Sequence, residues 1–159
     1  MPADSSELTI DRFIAAPPAR VWKAWSTPDY LAKWWIPAPI ECQVVTLDLR
    51  PGGGFETLMR DGTGDFQPHV EACFLDVVPE SRLVFTTVLR EGWQPVEPWL
   101  ALTAIITFEA EGDGTRYASR VLHKNAVDAR KHDEMGFEEG WGTAIAQLAA
   151  FVAGPTFKA

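Results

Sequence analysis

The stretch His132–Ala153, HDEMGFEEGWGTAIAQLAAFVA, decides the architecture. Phe137, Trp141, Ile145, Leu148 and Val152 recur at intervals of three or four residues, the period of one buried helical face. Glu138, Glu139 and Gln147 fall elsewhere and can stay in water. Gly136, Gly140 and Gly142 interrupt the first half of this helix, and each costs on the order of 1 kcal/mol relative to alanine in a helix interior. Gly136 and Gly140, one turn apart, leave a shallow groove where a neighbouring strand or a ligand can come close. No other long helical pattern exists in the chain, so this helix must cover whatever sheet the middle of the sequence builds.

Upstream, residues 1–7 are a polar lead-in, and Leu8–Ala15 reads as a strand with Leu8, Ile10, Arg12 and Ile14 on one face. Pro17-Pro18 stops it. Val21, Trp22 and Trp25 continue at helical spacing to Ser26, and Tyr30–Trp35 makes a second short helix ended by Pro37 and Pro39. Strands then follow at Cys42–Leu49, Phe55–Arg60, His69–Val78, Arg82–Arg90, Trp99–Ala110 and Thr115–His123, mostly joined by Gly- and Asp-rich hairpin turns. Lys124–Glu134 is polar and leads into the terminal helix. Consecutive hairpins make an antiparallel sheet. Seven strands with one long helix define an α+β domain, the helix lying across the concave face of a curved sheet. Strong curvature leaves space between helix and sheet, a natural pocket. With no repeat or linker, the expectation is a single domain over 1–159, its core at about 8–153.

Composition narrows the partners. The excess of 22 acidic over 14 basic residues gives a net charge of −8, which argues against nucleic acid or an anionic membrane, since both need a basic footprint. No apolar run approaches the roughly 18 residues of a membrane span, and MPADSSELT has no signal-peptide pattern. Cys42 and Cys73 have no metal-type spacing and read as reduced core thiols. The expected setting is the cytoplasm. Seven tryptophans and nine phenylalanines supply material for a core and for the walls of an apolar pocket.

Several residues could carry chemistry. His69 and Glu71 are two apart on an expected strand, so they share a face, with Cys73 following. If that face lines the cavity, Glu71 could orient His69 as a general base, or both could bond a polar ligand atom; they could equally form a structural ion pair or face solvent. Val70, Ala72 and Phe74 compete for the inward face, and the apolar count leaves both orientations open. His123 ends the last strand near the cavity mouth; with His69 and Glu71 it makes a conceivable two-histidine, one-carboxylate metal set, which nothing in the spacing demands. Ser119 and Arg120 lie on opposite faces, so only one points inward. Arg12 shares its face with Leu8, Ile10 and Ile14, where an inward arginine would anchor a carboxylate, but an outward edge position is expected. Trp22, Trp25 and Trp141 read as core, and Trp35, Trp93 and Trp99 as a lid or rim. Pro51-Gly52-Gly53-Gly54 is followed by Phe55-Glu56-Thr57 and a strand, without the Lys-Ser/Thr and helix of a phosphate loop.

These segments together resemble a known family. IAAPPARVWKAWSTPDYLAKWW, Pro37, DLRPGGGF, VVPESRLVFT, GDGTRYASRVLH and GFEEGWGTAIAQLAAFV stand in the order and spacing of proteins related to the C-terminal domain of the activator of heat-shock-protein-90 ATPase. That family belongs to the START-like, or SRPBCC, superfamily. The resemblance covers about residues 8–153 and implies the helix-grip fold: a curved antiparallel sheet of about seven strands around a long C-terminal helix, two short helices after the first strand, and a deep, mainly apolar cavity. It implies no shared catalytic motif. The superfamily contains lipid and hormone carriers, polyketide cyclases, and subunits that dock on other proteins.

The expected function is therefore binding of a small hydrophobic or aromatic molecule between sheet and helix. The candidate ligand-binding residues are Trp35, His69, Glu71, Trp99, His123, Phe137, Gly140 and Trp141, with no catalytic residue, metal or cofactor assigned. The alternatives are a cyclase- or hydrolase-like enzyme using His69 and Glu71, and a chaperone-accessory or homodimeric interaction module presenting Trp93 and Trp99.

Overall fold

A computed structural model describes residues 5–158, so the first four residues of the polar lead-in lie outside the described residues. The first strand, β1 (Glu7–Ile14), buries Ile10 and Ile14 and leaves Asp11 and Arg12 exposed. Two helices follow, α1 (Pro18–Ser26) and α2 (Pro28–Trp34), each opened by a proline. A proline there is harmless, because a first-turn N–H has no partner within the helix. Four strands then run as a meander: β2 (Glu41–Leu47), β3 (Gly54–Arg60), β4 (Gln67–Val78) and β5 (Arg82–Thr86). A small separate pair, β6 (Leu89–Arg90) with β7 (Gln94–Pro95), precedes β8 (Thr103–Glu111) and β9 (Gly114–Leu122). The chain closes with α3 (Ala126–Glu134) and α4 (Phe137–Ala153).

The main sheet has seven strands in the order β1-β9-β8-β5-β4-β3-β2, antiparallel throughout. The segment α1–α2 thus carries the chain from one sheet edge, β1, to the other, β2. Alternation sorts the inward residues: Phe55 and Thr57 on β3, Leu83 and Phe85 on β5, Ala104, Ile106 and Phe108 on β8, and Tyr117, Ser119 and Val121 on β9 are buried. α4 lays Phe137, Ala144, Ile145, Leu148 and Val152 against them. This is the α+β helix-grip arrangement.

Three details differ from the sequence expectation, each for a local reason. The polar stretch before the terminal helix is itself a helix, α3, capped by Asn125, whose Oδ1 accepts the Asp128 N–H at 2.8 Å. Only Ala129 and His132 of α3 are buried, so it shows no apolar stripe. Gly136, at φ 96°, holds a left-handed conformation that separates α3 from α4, so the two do not form one helix from His132. The third difference is the late start of β8 at Thr103 and the early end of β5 at Thr86. Between them the Thr87 hydroxyl donates to the Leu100 carbonyl at 2.8 Å and accepts the Leu102 N–H at 2.9 Å, replacing ladder bonds.

Curvature comes from β4. Its pairing slips by one residue at His69 against β3 and again at Leu75 against β5. Each bulge places an extra residue on one strand, bends it and raises its twist. A matching bulge at Val45 bends the edge strand β2.

The core is anchored by Trp25, whose indole N–H donates to the Tyr117 hydroxyl at 2.9 Å. Trp25 also packs against Trp34, Trp35 and Phe55 at 5.1–5.9 Å between ring centres. Gln147, expected to stay in water, instead clamps the end of α2: its Nε2 donates to the Trp34 and Ile36 carbonyls at 2.9 and 3.0 Å, and its Oε1 accepts the Ala38 N–H at 2.7 Å. Arg20 Nε donates to the Val152 carbonyl at 2.9 Å, satisfying an end of α4.

Tyr117→Phe removes the one acceptor that a fully buried indole N–H has among the described residues. It is expected to lower stability by about 1–3 kcal/mol, measured as a fall in the urea midpoint at unchanged slope.

Candidate ligand cavity

Between α4 and the bent sheet lies a cavity of about 300 Å³. The end of α2 supplies Trp34, Trp35 and Pro37; β4 and β5 supply His69, Val70 and Phe85; the connection before β8 supplies Trp99, Leu100 and Leu102. Tyr117 and Ser119 come from β9, His132 and Met135 from α3 and the turn after it, and Phe137, Gly140, Trp141, Ala144 and Ile145 from α4. No Asp, Glu, Lys or Arg is among the described residues that line it. Trp99, 80% exposed, stands at the rim.

Six of the eight candidate residues, Trp35, His69, Trp99, Phe137, Gly140 and Trp141, are brought together here. Glu71 is not. Phe55 pairs with Ala72 and Thr57 with Val70, so the inward face of β4 is Val70, Ala72 and Phe74, and Glu71 points outward, 3.5 Å from Arg90. His69 reaches the cavity because it is the extra residue of the bulge, which turns its ring in beside Thr57, Nδ1 lying 3.0 Å from the threonine hydroxyl. The same bulge that brings His69 in therefore separates it from Glu71, and the proton-transfer pair expected of the enzyme alternative is not assembled. Cys73, on the outward face with Glu71, is fully buried and free. Trp93 is also away from the rim: its indole packs on Gly52, about 3.0 Å from where a Cβ would stand.

His123 does not line the cavity either. Its Nδ1 lies 3.0 Å from the Ser6 carbonyl and its Nε2 2.9 Å from Nδ1 of His132, which does line it. His69, Glu71 and His123 thus do not converge, and no group of three His, Cys, Asp or Glu able to hold a metal occurs among the described residues. Burial pushes His69 down to about 4. Burial, then the neighbouring His123, against a weaker opposing pull from Asp133, pushes His132 down to about 4 as well. Both rings are therefore neutral at pH 7.

The cavity residues outside the candidate set include Ser119, Tyr117 and His132. Ser119, correctly separated from outward Arg120, is buried with a hydroxyl that has no partner among the described residues. Tyr117 continues the same alternation two residues earlier, and that alternation was the available signal. His132 had none, because α3 looks polar throughout. The Trp35 Nε1 is likewise buried without a partner. Gly140 matters for what it leaves out, since a Cβ built there meets no atom within 4 Å.

A curved sheet gripping one long helix over an uncharged, ring-walled cavity defines the START-like class of proteins. The sequence model of the Activator of Hsp90 ATPase homolog 1-like protein family matches residues 15–153, and the chain belongs to that family. A solved protein from Nitrosomonas europaea is 37% identical, with 92% of this chain and 94% of that one aligned at a TM-score of 0.85. One from Mycobacterium smegmatis is 28% identical over 91% and 89%, TM-score 0.76. A third, from Arthrobacter aurescens, is 25% identical over 96% and 88%, TM-score 0.81. No curated protein matches the chain. No helix among the described residues is long and apolar enough to cross a membrane.

The lowered histidines set a pH dependence. As pH falls below about 6.5 the unfolded chain takes up protons that the folded chain refuses until about 4, so stability is lost across that window. His69 alone is expected to account for about 2 kcal/mol between pH 7 and pH 5. His69→Gln should flatten the fall in urea stability over that interval by about this amount; an unchanged slope would place the ring in water.

Proposed function

We propose that this protein binds a small hydrophobic or aromatic molecule in the cavity between the sheet and α4. The observation that carries the reading is the cavity itself: about 300 Å³, walled by Trp35, Phe85, Phe137 and Trp141 and without a charged residue among those described. Ligand sites have this character, mostly apolar with a few placed polar groups, and this volume stands at their lower end. It suits a molecule of two or three fused or linked rings. Burial of such a molecule draws on about 25 cal/mol per Å² of apolar surface, less the cost of immobilising it. Trp99 at the rim offers a first contact.

Gly140 supports the same reading. A glycine inside a helix costs on the order of 1 kcal/mol against alanine, and here no close neighbour demands it. The space its missing side chain leaves adjoins the cavity.

Gly140→Leu separates folding from binding. The leucine should fill cavity volume and remove the glycine penalty, so Tm is expected to rise by about 2–4 °C. Titration of the natural chain with naphthalene, followed by NMR, should shift the indole N–H signals of Trp35, Trp99 and Trp141, and Gly140→Leu should abolish those shifts. Shifts that persist in the variant, or that map to another surface, would refute the cavity as the binding site.

A further inference from the structure

The cavity's unspent hydrogen-bonding atoms narrow the chemistry of the ligand, on the footing that the cavity is the binding site. Some polar groups beside it are closed off: the Trp34 indole donates to the Ala24 carbonyl at 3.0 Å and the Trp25 indole to Tyr117 at 2.9 Å. Two fully buried donors are not. The Ser119 hydroxyl and the Trp35 N–H are buried without a partner among the described residues, and both residues line the cavity. Ser119 is 1% exposed. A buried donor left unpaired carries the full desolvation penalty of its group, so each is a place where a ligand acceptor gains affinity.

His132 supplies the opposite polarity. The Ser6 carbonyl can only accept, so Nδ1 of His123 bears its hydrogen. With a single hydrogen on the His123 ring, its Nε2 is then an acceptor, and it lies 2.9 Å from Nδ1 of His132, which in that arrangement donates. The hydrogen of neutral His132 is thereby committed to Nδ1, and its Nε2 keeps a lone pair with no partner among the described residues. A backbone carbonyl at the start of the chain thus fixes, through two rings, an acceptor on the cavity wall. A formal charge has no counterpart there, because none of the described lining residues is acidic or basic apart from the histidines, and burying an unpaired ion is very unfavourable.

We propose that the cavity selects a neutral hydroxylated ring compound, whose hydroxyl donates to Nε2 of His132 and whose oxygen acceptors take the Ser119 hydroxyl and the Trp35 indole N–H. A bare hydrocarbon leaves all three atoms unpaired. An acceptor-only ether satisfies the donors but not His132. A carboxylate satisfies the donors while bringing in a charge without a partner.

The test is a set of four probes on one ring system, titrated by NMR at pH 7: 2-naphthol, 2-methoxynaphthalene, naphthalene and 2-naphthoate. The expected affinity order is the order given, with naphthol about tenfold or more above naphthalene, a margin equivalent to one good hydrogen bond. Ser119→Ala is expected to lower naphthol affinity about fivefold to tenfold while leaving naphthalene within about twofold. The same variant should raise Tm, since it deletes an unpaired buried hydroxyl. The nitrogen spectrum of the free protein should show His132 protonated at Nδ1, with Nε2 shifting when naphthol binds. If naphthalene and naphthol bind equally, or naphthoate binds tightest, the selectivity proposal fails and the binding site stands. If none of the four shifts a cavity residue, the binding reading itself fails.

Discussion

A single helix must cover a bent sheet that is too wide for it, and the rest of the molecule follows from that mismatch. Seven strands at about 4.8 Å spacing span roughly 29 Å, whereas a helix with its side chains is only about 10 Å across. α4, α1 and α2 bring large rings to fill the difference, with Trp25 and Trp34 buried among them against Phe55 and Phe74 of the sheet. The two bulges of β4 deepen the concavity beyond what these rings occupy. Where Gly140 withholds a side chain, the filling stops and the cavity begins.

Indole groups mark the boundary between core and site. Trp25 and Trp34 each spend their N–H inside the protein, on a tyrosine hydroxyl and on a backbone carbonyl. Trp35, one residue further along, packs against both of them and keeps its N–H unspent. Its position is not loose, because Gln147 holds the carbonyls of Trp34 and Ile36 on either side. A polar atom that is fixed by its surroundings yet left without a partner differs from one stranded by poor packing. The former keeps its geometry when a ligand arrives.

Architecture was legible in the sequence because it rests on periodicity. The three- and four-residue spacing from Phe137 to Val152, the alternation in β8 and β9, and the proline and glycine punctuation each report a local physical preference. The site was less legible because it rests on exceptions to periodicity. A strict period of two places His69 with Glu71; one inserted residue in the β4 pairing places it with Val70 instead. Nothing in the letters HVEAC announces that insertion, which is set by how β3 and β5 both register on the same strand. His132 was hidden for a related reason. Its helix is held by an Asn125 cap and packs through only two buried residues, so no apolar stripe advertises it. Gln147 has the character of a surface residue, and its role depends entirely on where α2 ends.

The pairing of β1 with β9 has a kinetic meaning. Glu7 lies opposite Leu122 and Ile14 opposite Thr115, so the strands that complete the sheet are separated by more than a hundred residues of chain. The meander from β2 to β5 and the hairpin of β8 with β9 join near neighbours and carry little loop-closure entropy. A long closure must be met before its contacts repay it, and folding slows as the sequence separation of the contacts grows. Until β1 docks, β9 is an open edge with unpaired backbone groups, a template for another chain's strand. The Ser6–His123–His132 chain of bonds forms only once that edge is covered. The acceptor on the cavity wall is consequently oriented by the same event that protects the newly made protein from association with its neighbours.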